Sequence, residues 1–333
     1  MRFGFSRPLS SALRTQKKIS KLFESVMPAP RRKPVRPAKL LLETTAAFGS
    51  NPGRLVMKSF APTKLPKDPP LVVVLHGCGQ TPESLDAASG FSRFAKEKGF
   101  VLLYPQQVRS NNSHRCFNWF RPSAVARDRG ELFSIKQMIE KICKRYRIDR
   151  GRIYIVGLSA GGAMTAALVA NYPAMFAGAA IVAGMPFGSA RDAMSALQAM
   201  KSGAHTPPAG WGSLVTAVSS QRVSWPPISI WQGKDDKVVN PRNAAANVAQ
   251  WLEAGSIDRS AGRIDKKPWG EMHSWKGAGL SRVTLYSMNG VAHGLPVKPR
   301  NDSAGRSSED PFVLPAAISA PLELMRSWGL RRL

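Results

Sequence analysis

Cysteine, acid and histidine are all scarce in this chain, and each shortage narrows the reading. Three cysteines in 333 residues, Cys78, Cys116 and Cys143, do not make a disulfide scaffold. One bridge with a leftover thiol and three free thiols both stay open. Acidic residues number 21 against 48 lysines and arginines, a formal charge of +27. A surface of that sign favours polyanions, anionic membranes or acidic granules, and says nothing about fold. No apolar run reaches the roughly eighteen residues that a membrane-spanning helix needs. No internal repeat is found, so a solenoid or propeller is not expected. The first residues lack an apolar core and a small-residue cleavage site, so no secretory signal is read there. With only five histidines, any search for a catalytic base is short.

What is present is an ordinary hydrophobic fraction, 43%, and length for one large domain with terminal additions or for two small domains. Residues 1–39 hold eleven cations against the single acid Glu24. Leu13, Ile19, Leu22, Phe23 and Val26 fall near helical spacing, which predicts a basic amphipathic helix over 10–27. The proline-rich stretch after Met27 reads as a linker. This arm is either a solvated leader or a tether to an acidic surface, and the catalytic domain is expected over 40–333.

From residue 40 onward strand-like and helix-like runs alternate. Leu40–Phe48 and Leu55–Phe60 flank Gly49-Ser-Asn-Pro-Gly53 and resemble an opening hairpin. Leu71–Leu75, Phe100–Tyr104, Arg152–Val156, Ala179–Ala183, Ile228–Trp231 and Val283–Tyr286 read as strands. Phe91–Lys98, Glu131–Tyr146, Ala163–Ala170, Ala190–Met200 and Ala316–Trp328 read as helices. Alternation of this kind predicts an α/β fold, a mostly parallel, doubly wound sheet with helices on both faces. Residues 185–226 and 254–281 break the alternation and read as irregular loops able to shape a pocket, and 297–315 as a polar loop.

Chemistry concentrates at Gly157-Leu-Ser159-Ala-Gly161. A G-x-S-x-G between a strand and a helix is the context of a nucleophile elbow, in which the serine sits on a strained turn above the sheet. A serine hydroxyl is a poor nucleophile until a base removes its proton, and that base needs an orienting carboxylate. His293 follows the strand Val283–Tyr286 on a short loop and is the candidate base. His76 is expected to shape the turn after Leu71–Leu75, and His114, His205 and His273 to be surface or pocket-rim residues. The carboxylate is Asp235 or Asp236, after Ile228–Trp231. Asp236 is preferred, because Val238-Val239 behind it would bury the turn and point that side chain inward. Oxyanion donors are expected from the backbone N–H of Ala160 and from the loop His76-Gly-Cys78-Gly-Gln80, at the Cys78 N–H. Such acyl transfer implies no metal and no cofactor.

Together Leu75-His-Gly-Cys-Gly-Gln80, Cys116-Phe-Asn-Trp-Phe120, Gly157-Leu-Ser-Ala-Gly-Gly162 and Gly233…Asp236…Val239 resemble the polyhydroxybutyrate (PHB) depolymerase family of esterases. That family belongs to the α/β-hydrolases and is related to feruloyl and acetylxylan esterases. The resemblance covers roughly residues 50–295. It implies the α/β-hydrolase fold, with Ser159 as nucleophile, Asp236 as orienting acid and His293 as base. It also implies the Cys78 and Ala160 amides as oxyanion donors, and Trp119 along the substrate groove unless it is simply a packed aromatic. Cys78 and Cys116 both fall in these motifs, which allows a bridge between them. The implied substrate is an ester of poly- or oligo-3-hydroxybutyrate, with a feruloyl or acetyl ester on plant polysaccharide as runner-up. A catalytically silent homologue held to a polyanion or granule by its charge is the alternative from another class; no specific nucleic-acid binding is expected. Two departures stand out. Ala292-His293-Gly294-Leu295 replaces the family's frequent Gly-His-Ala-Trp, removing an aromatic beside the base. No separate substrate-binding domain or threonine-rich linker is seen, so action on soluble oligomers or small esters, or at an intracellular granule, is also expected. Family precedent is extracellular, and the missing signal leaves the compartment open.

Overall fold

The structure, a computed structural model, describes residues 42–219, 224–279, 282–299 and 310–331. The expected amphipathic helix and linker of the basic arm lie outside these residues.

The strands, in chain order, are β1 (Glu43–Thr45), β2 (Val56–Phe60), β3 (Leu71–Leu75), β4 (Val101–Gln106), β5 (Ile153–Leu158), β6 (Gly178–Val182), β7 (Ile228–Gly233), β8 (Arg263–Lys267), β9 (Gly270–Lys276), β10 (Arg282–Met288), β11 (Leu295–Val297) and β12 (Val313–Pro315). The helices are α1 (Pro82–Ser89), α2 (Phe91–Lys98), α3 (Pro122–Val125), α4 (Gly130–Tyr146), α5 (Ala160–Asn171), α6 (Ala193–Ser202), α7 (Trp211–Thr216), α8 (Arg242–Ala254) and α9 (Ala320–Ser327).

Ten strands make one sheet in the order β1-β2-β4-β3-β5-β6-β7-β10-β9-β8, and β11 pairs with β12 apart from it. From β4 through β10 neighbouring strands run parallel, while β1, β2, β9 and β8 add antiparallel pairs at the two ends. The middle strands β3, β5 and β6 are buried at every residue, as strands covered on both faces must be. On one face Leu71, Val73, Ile153 and Ile155 pack with Leu132, Ile139 and Met164 of α4 and α5. On the other, Tyr104 of β4 donates its hydroxyl to Asp86 of α1, and Tyr154 of β5 stacks on Trp328 behind α9 at 4.9 Å. Helices therefore cover both faces, as the alternation predicts.

The differences from the sequence reading have local causes. The first expected strand shrinks to three edge residues, Glu43 and Thr44 exposed and Thr45 half-buried. Residues 254–281 are not irregular: they hold the antiparallel hairpin β8–β9, which widens the sheet beyond β10. Its outer strand, Arg-Ile-Asp-Lys-Lys, carries charge where an apolar alternation would be sought, the pattern of an edge that must not pair further. Trp275 anchors the hairpin, buried to 7% exposure with its indole N–H donated to the Arg259 carbonyl at 2.9 Å. The expected loop 297–315 likewise begins and ends in the small β11–β12 ladder.

Candidate active site

In a parallel sheet of this kind the loops after the strands' carboxyl ends gather at one edge, and the candidate residues lie there: Cys78 after β3, Ser159 after β5, Asp236 after β7 and His293 after β10.

Ser159 has φ 56° and ψ −117°, a backbone conformation that L-residues rarely adopt. Such a conformation costs of order 1–3 kcal/mol and persists only where the surroundings enforce it. Here they do. The Ser159 amide donates to the Val182 carbonyl at 2.8 Å, and its carbonyl takes the Ala163 amide at 3.0 Å to open α5. A Cβ at Gly157 would collide with the Gly161 carbonyl and the Thr165 hydroxyl, and one at Gly161 with the carbonyls of Leu75 and His76. Both positions exclude any side chain, so α5 lies directly against β3 and β5 and drives the turn outward. Ala160 opens the helix, and no described residue accepts its N–H.

Asp235 and Asp236 are separated by burial: Asp235 is exposed, and the Asp236 side chain has no exposed surface. Asp236 Oδ1 accepts the Val238 and Val239 amides at 2.9 and 2.8 Å, and Oδ2 accepts Gln232 Nε2 at 3.0 Å and His293 Nδ1 at 2.8 Å. Val239 is 1% exposed, so the apolar pair closes the turn as its sequence suggests. Burial pushes the Asp236 carboxyl up, but the bond and charge of His293 with the two amides outweigh it and hold the group below its ordinary value. An ionised carboxylate can only accept, so His293 carries a proton on Nδ1, and Nε2 is the ring nitrogen that Asp236 does not engage. The base loop is tied to the end of β7: Lys234 and Asp235 donate their amides to Met288 and Val291 at 2.8 and 3.1 Å. Gly233 packs so closely on the Val291 and Ala292 carbonyls that no Cβ would fit.

The loop after β3 approaches Ser159 from the other side; a Cβ placed on Gly77 would stand 3.5 Å from that of Ser159. Cys78 is bonded to Cys116, 38 residues on, and Cys143 is free and buried. His76 does shape the turn. Its Nδ1 bonds the Gly77 carbonyl at 2.7 Å and its Nε2 the Gln107 amide at 3.1 Å. Burial lowers its pKa from 6.5 to about 4, so it stays neutral and is no general base. Gln107 continues to Glu131, a carboxylate whose pKa burial raises, which also takes the Asn118 backbone and side-chain N–H groups at 2.9 and 2.5 Å. This network was not legible in the sequence, because Glu131 opens an amphipathic helix and looks like a solvated first-turn acid. Trp119, next to Asn118, is 8% exposed and stands edge-on to Phe120 at 5.7 Å. His114 is half-buried and gives its carbonyl to the Gly79 amide at 2.7 Å, His205 is exposed, and His273 sits half-buried on β9 beside Glu271.

Asp236 and His293 are thus in direct contact, and Ser159 adjoins the Cys78 loop. The two halves stand on β5 and β7, with β6 between them. Among the described residues no cluster of three His, Cys, Asp or Glu side chains is arranged to hold a metal ion.

Known proteins agree with this architecture. An acetyl xylan esterase from Aspergillus awamori superposes with a TM-score of 0.72 over 87% of this chain and 99% of its own, at 22% identity, which establishes the α/β-hydrolase fold. Poly(3-hydroxyalkanoate) depolymerase C of Paucimonas lemoignei is 37% identical over 87% of this chain and 70% of its own length. Feruloyl esterase B of Talaromyces stipitatus is 27% identical over 77% and 72%. The family model for Esterase PHB depolymerase matches residues 59–271, a span that includes Cys78, Ser159 and Asp236 and stops short of His293. The chain belongs to the Esterase PHB depolymerase family.

Proposed function

We propose that this carboxylic-ester hydrolase cleaves poly- or oligo-3-hydroxybutyrate with Ser159, His293 and Asp236 as its triad, in a catalytic domain spanning 40–333. The observation that carries the reading is the buried Asp236–His293 pair, 2.8 Å apart, at the sheet edge where Ser159 is held in its strained turn. Ser159 Oγ attacks the ester carbonyl as its proton passes to His293 Nε2. The Cys78 and Ala160 amides, which no described residue occupies, bind the oxyanion. Collapse of the tetrahedral intermediate expels the alcohol, which takes the proton from Nε2, and leaves an acyl-serine. Water, deprotonated by the same nitrogen, then attacks the acyl carbon; the bond to Ser159 Oγ breaks, Oγ takes the proton back from Nε2, and the acid is released. Asp236, held anionic, stabilises the imidazolium in both halves. Trp119 adjoins the oxyanion loop through the Cys116–Cys78 bridge and lines one wall of the groove. Depolymerase C of Paucimonas lemoignei, a relative over most of this chain, supports the polyester. The A. awamori enzyme and feruloyl esterase B support an acetyl or feruloyl ester as the second reading.

The test compares wild type with Ser159→Ala on p-nitrophenyl butyrate, 3-hydroxybutyrate oligomers, and feruloyl and acetyl esters. Turnover in wild type, reduced at least ~10⁴-fold by the substitution and strongest on the oligomers, is the expected result. Preference for the aromatic or acetyl ester would select the second reading, and equal turnover in both proteins would sink the triad. We further propose that the arm 1–39 tethers the enzyme to acidic surfaces such as granules. Adsorption should then fall steeply with salt and vanish on deletion of the arm, with soluble-ester turnover unchanged. Salt-independent adsorption would contradict the tether.

A further inference from the structure

We propose that Asp310 is a positioning residue for this site: through Gln80 it sets the loop that aims the Cys78 amide at the oxyanion. The inference rests on the esterase reading above.

Three successive amides line that loop, and two are occupied. Gly79 donates to the His114 carbonyl at 2.7 Å, and Gly77 donates to the Gln80 side-chain oxygen at 2.6 Å. The Cys78 N–H is the one for which no described residue is an acceptor. The loop is therefore pinned on both sides of its free donor, and the pin at Gly77 is a side chain rather than backbone.

A carboxamide has two unlike ends. Turned over, Gln80 would set its NH₂ against the Gly77 N–H, donor against donor, and release the loop. Nothing at Gly77 enforces the orientation beyond that one bond. Asp310 does. Gln80 Nε2 donates to Asp310 Oδ1 at 2.8 Å, and a carboxylate, having no proton to give, accepts only the nitrogen end. Both side chains are buried, each 3% exposed, so water cannot substitute. Asp310 is itself fixed. Its Oδ1 also takes the Phe312 amide at 3.0 Å, and its Oδ2 the Ser84 hydroxyl at 2.8 Å, a side chain already locked into the capping box that starts α1. The chain places Asp310 there through β12: Phe312 stands edge-on to the His293 ring at 6.0 Å and returns its carbonyl to Leu295 at 2.7 Å. One short segment after the base thus reaches back 230 residues to the oxyanion loop.

Removing Asp310 should misalign a donor needed mainly in the transition state. Asp310→Ala and Gln80→Ala are each expected to lower kcat roughly 10- to 100-fold, short of the loss of a whole donor, with KM nearly unchanged. Because one residue acts through the other, the double variant should be no slower than the worse single variant. Inhibition by an alkyl boronic acid, whose tetrahedral adduct on Ser159 places an oxygen in the same hole, should weaken in proportion to kcat. Asp310→Asn can still accept from Gln80 and Phe312 through Oδ1 and donate to Ser84 through its NH₂. It should therefore keep kcat within about 3-fold.

A purely structural Asp310 would lower the melting temperature without this pattern. Full kcat in a folded Asp310→Ala protein, or additive losses in the double variant, would overturn the inference. Should Asp310→Ala fail to fold, Gln80→Ala decides alone, since it leaves the 310–315 segment intact, and wild-type kcat there would overturn it. An inactive wild type would remove the esterase reading and this inference together, whereas an active wild type with unaffected variants removes only the inference.

Discussion

At the scale of single residues, the site is held by groups whose preferred state the fold overrules. Ser159 is a β-carbon residue at φ 56°, so glycine there should relax the turn. Ser159→Gly is expected to melt higher than Ser159→Ala by a margin worth about 1 kcal/mol, both being inactive; equal melting would show the turn unstrained. His76 is overruled in its charge. Unfolded, it titrates near 6.5; folded, near 4. The unfolded chain therefore binds the extra proton between these values, and stability is full above pH 6.5 and lost as pH falls toward 4. The loss between pH 7 and pH 5 should be about 2 kcal/mol, read from urea midpoints, and should shrink in His76→Asn. A His76→Asn protein with the wild-type pH slope would contradict this. That Asp236 rather than Asp235 turns inward was legible in the sequence because Val238-Val239 follow it; the contact of Asp310, in a polar stretch 230 residues from Gln80, was not, since its partner is set by folding alone.

At the scale of elements, closeness of backbones does what side chains do elsewhere. Gly161→Ala would drive a methyl group into two carbonyls of the β3 end that cannot swing away. A loss of about 3 kcal/mol with a collapse of kcat is expected, measured by thermal melting and ester turnover. The same change at Gly162, where the added carbon meets the Val182 oxygen at 3.0 Å, should be milder. Comparable melting of the Gly161→Ala and wild-type proteins would contradict the tight elbow. Buried parallel strands were readable from apolar runs. α8 was not, because its inner face carries Asn243, Asn247 and Gln250, all fully buried. These amides donate to the carbonyls of Ala199, Gly184 and Phe187 at 2.9, 3.1 and 2.9 Å and hold the long 184–204 connection in place. A helix that satisfies a loop's backbone looks polar on both sides and loses its periodicity. The β8–β9 hairpin escaped notice for the reciprocal reason, a charged edge strand paired with a partly exposed neighbour.

At the scale of the whole molecule, one covalent link and one charge imbalance stand out. The Cys78–Cys116 bridge closes a span of 38 residues, which in the chain-entropy model is worth about 4 kcal/mol. Joint replacement of both cysteines by alanine should lower stability on that scale and also reduce kcat, because the loop proposed to donate to the oxyanion loses an anchor; an unchanged denaturant midpoint would contradict it. The sequence left this pairing open, since three cysteines permit several states and only the fold brings β3's loop against residue 116. The +27 charge belongs to the chain as a whole, whereas the proposed chemistry calls on two backbone amides and one buried Asp236–His293 hydrogen bond. That chemistry is tested most directly by exposing the native protein to a fluorophosphonate and mapping the adduct by mass spectrometry. One adduct on Ser159, lost on unfolding and slowed when His293 is replaced by alanine, is the expected result. No adduct, or one elsewhere in the chain, would contradict the assignment of Ser159 as the activated nucleophile.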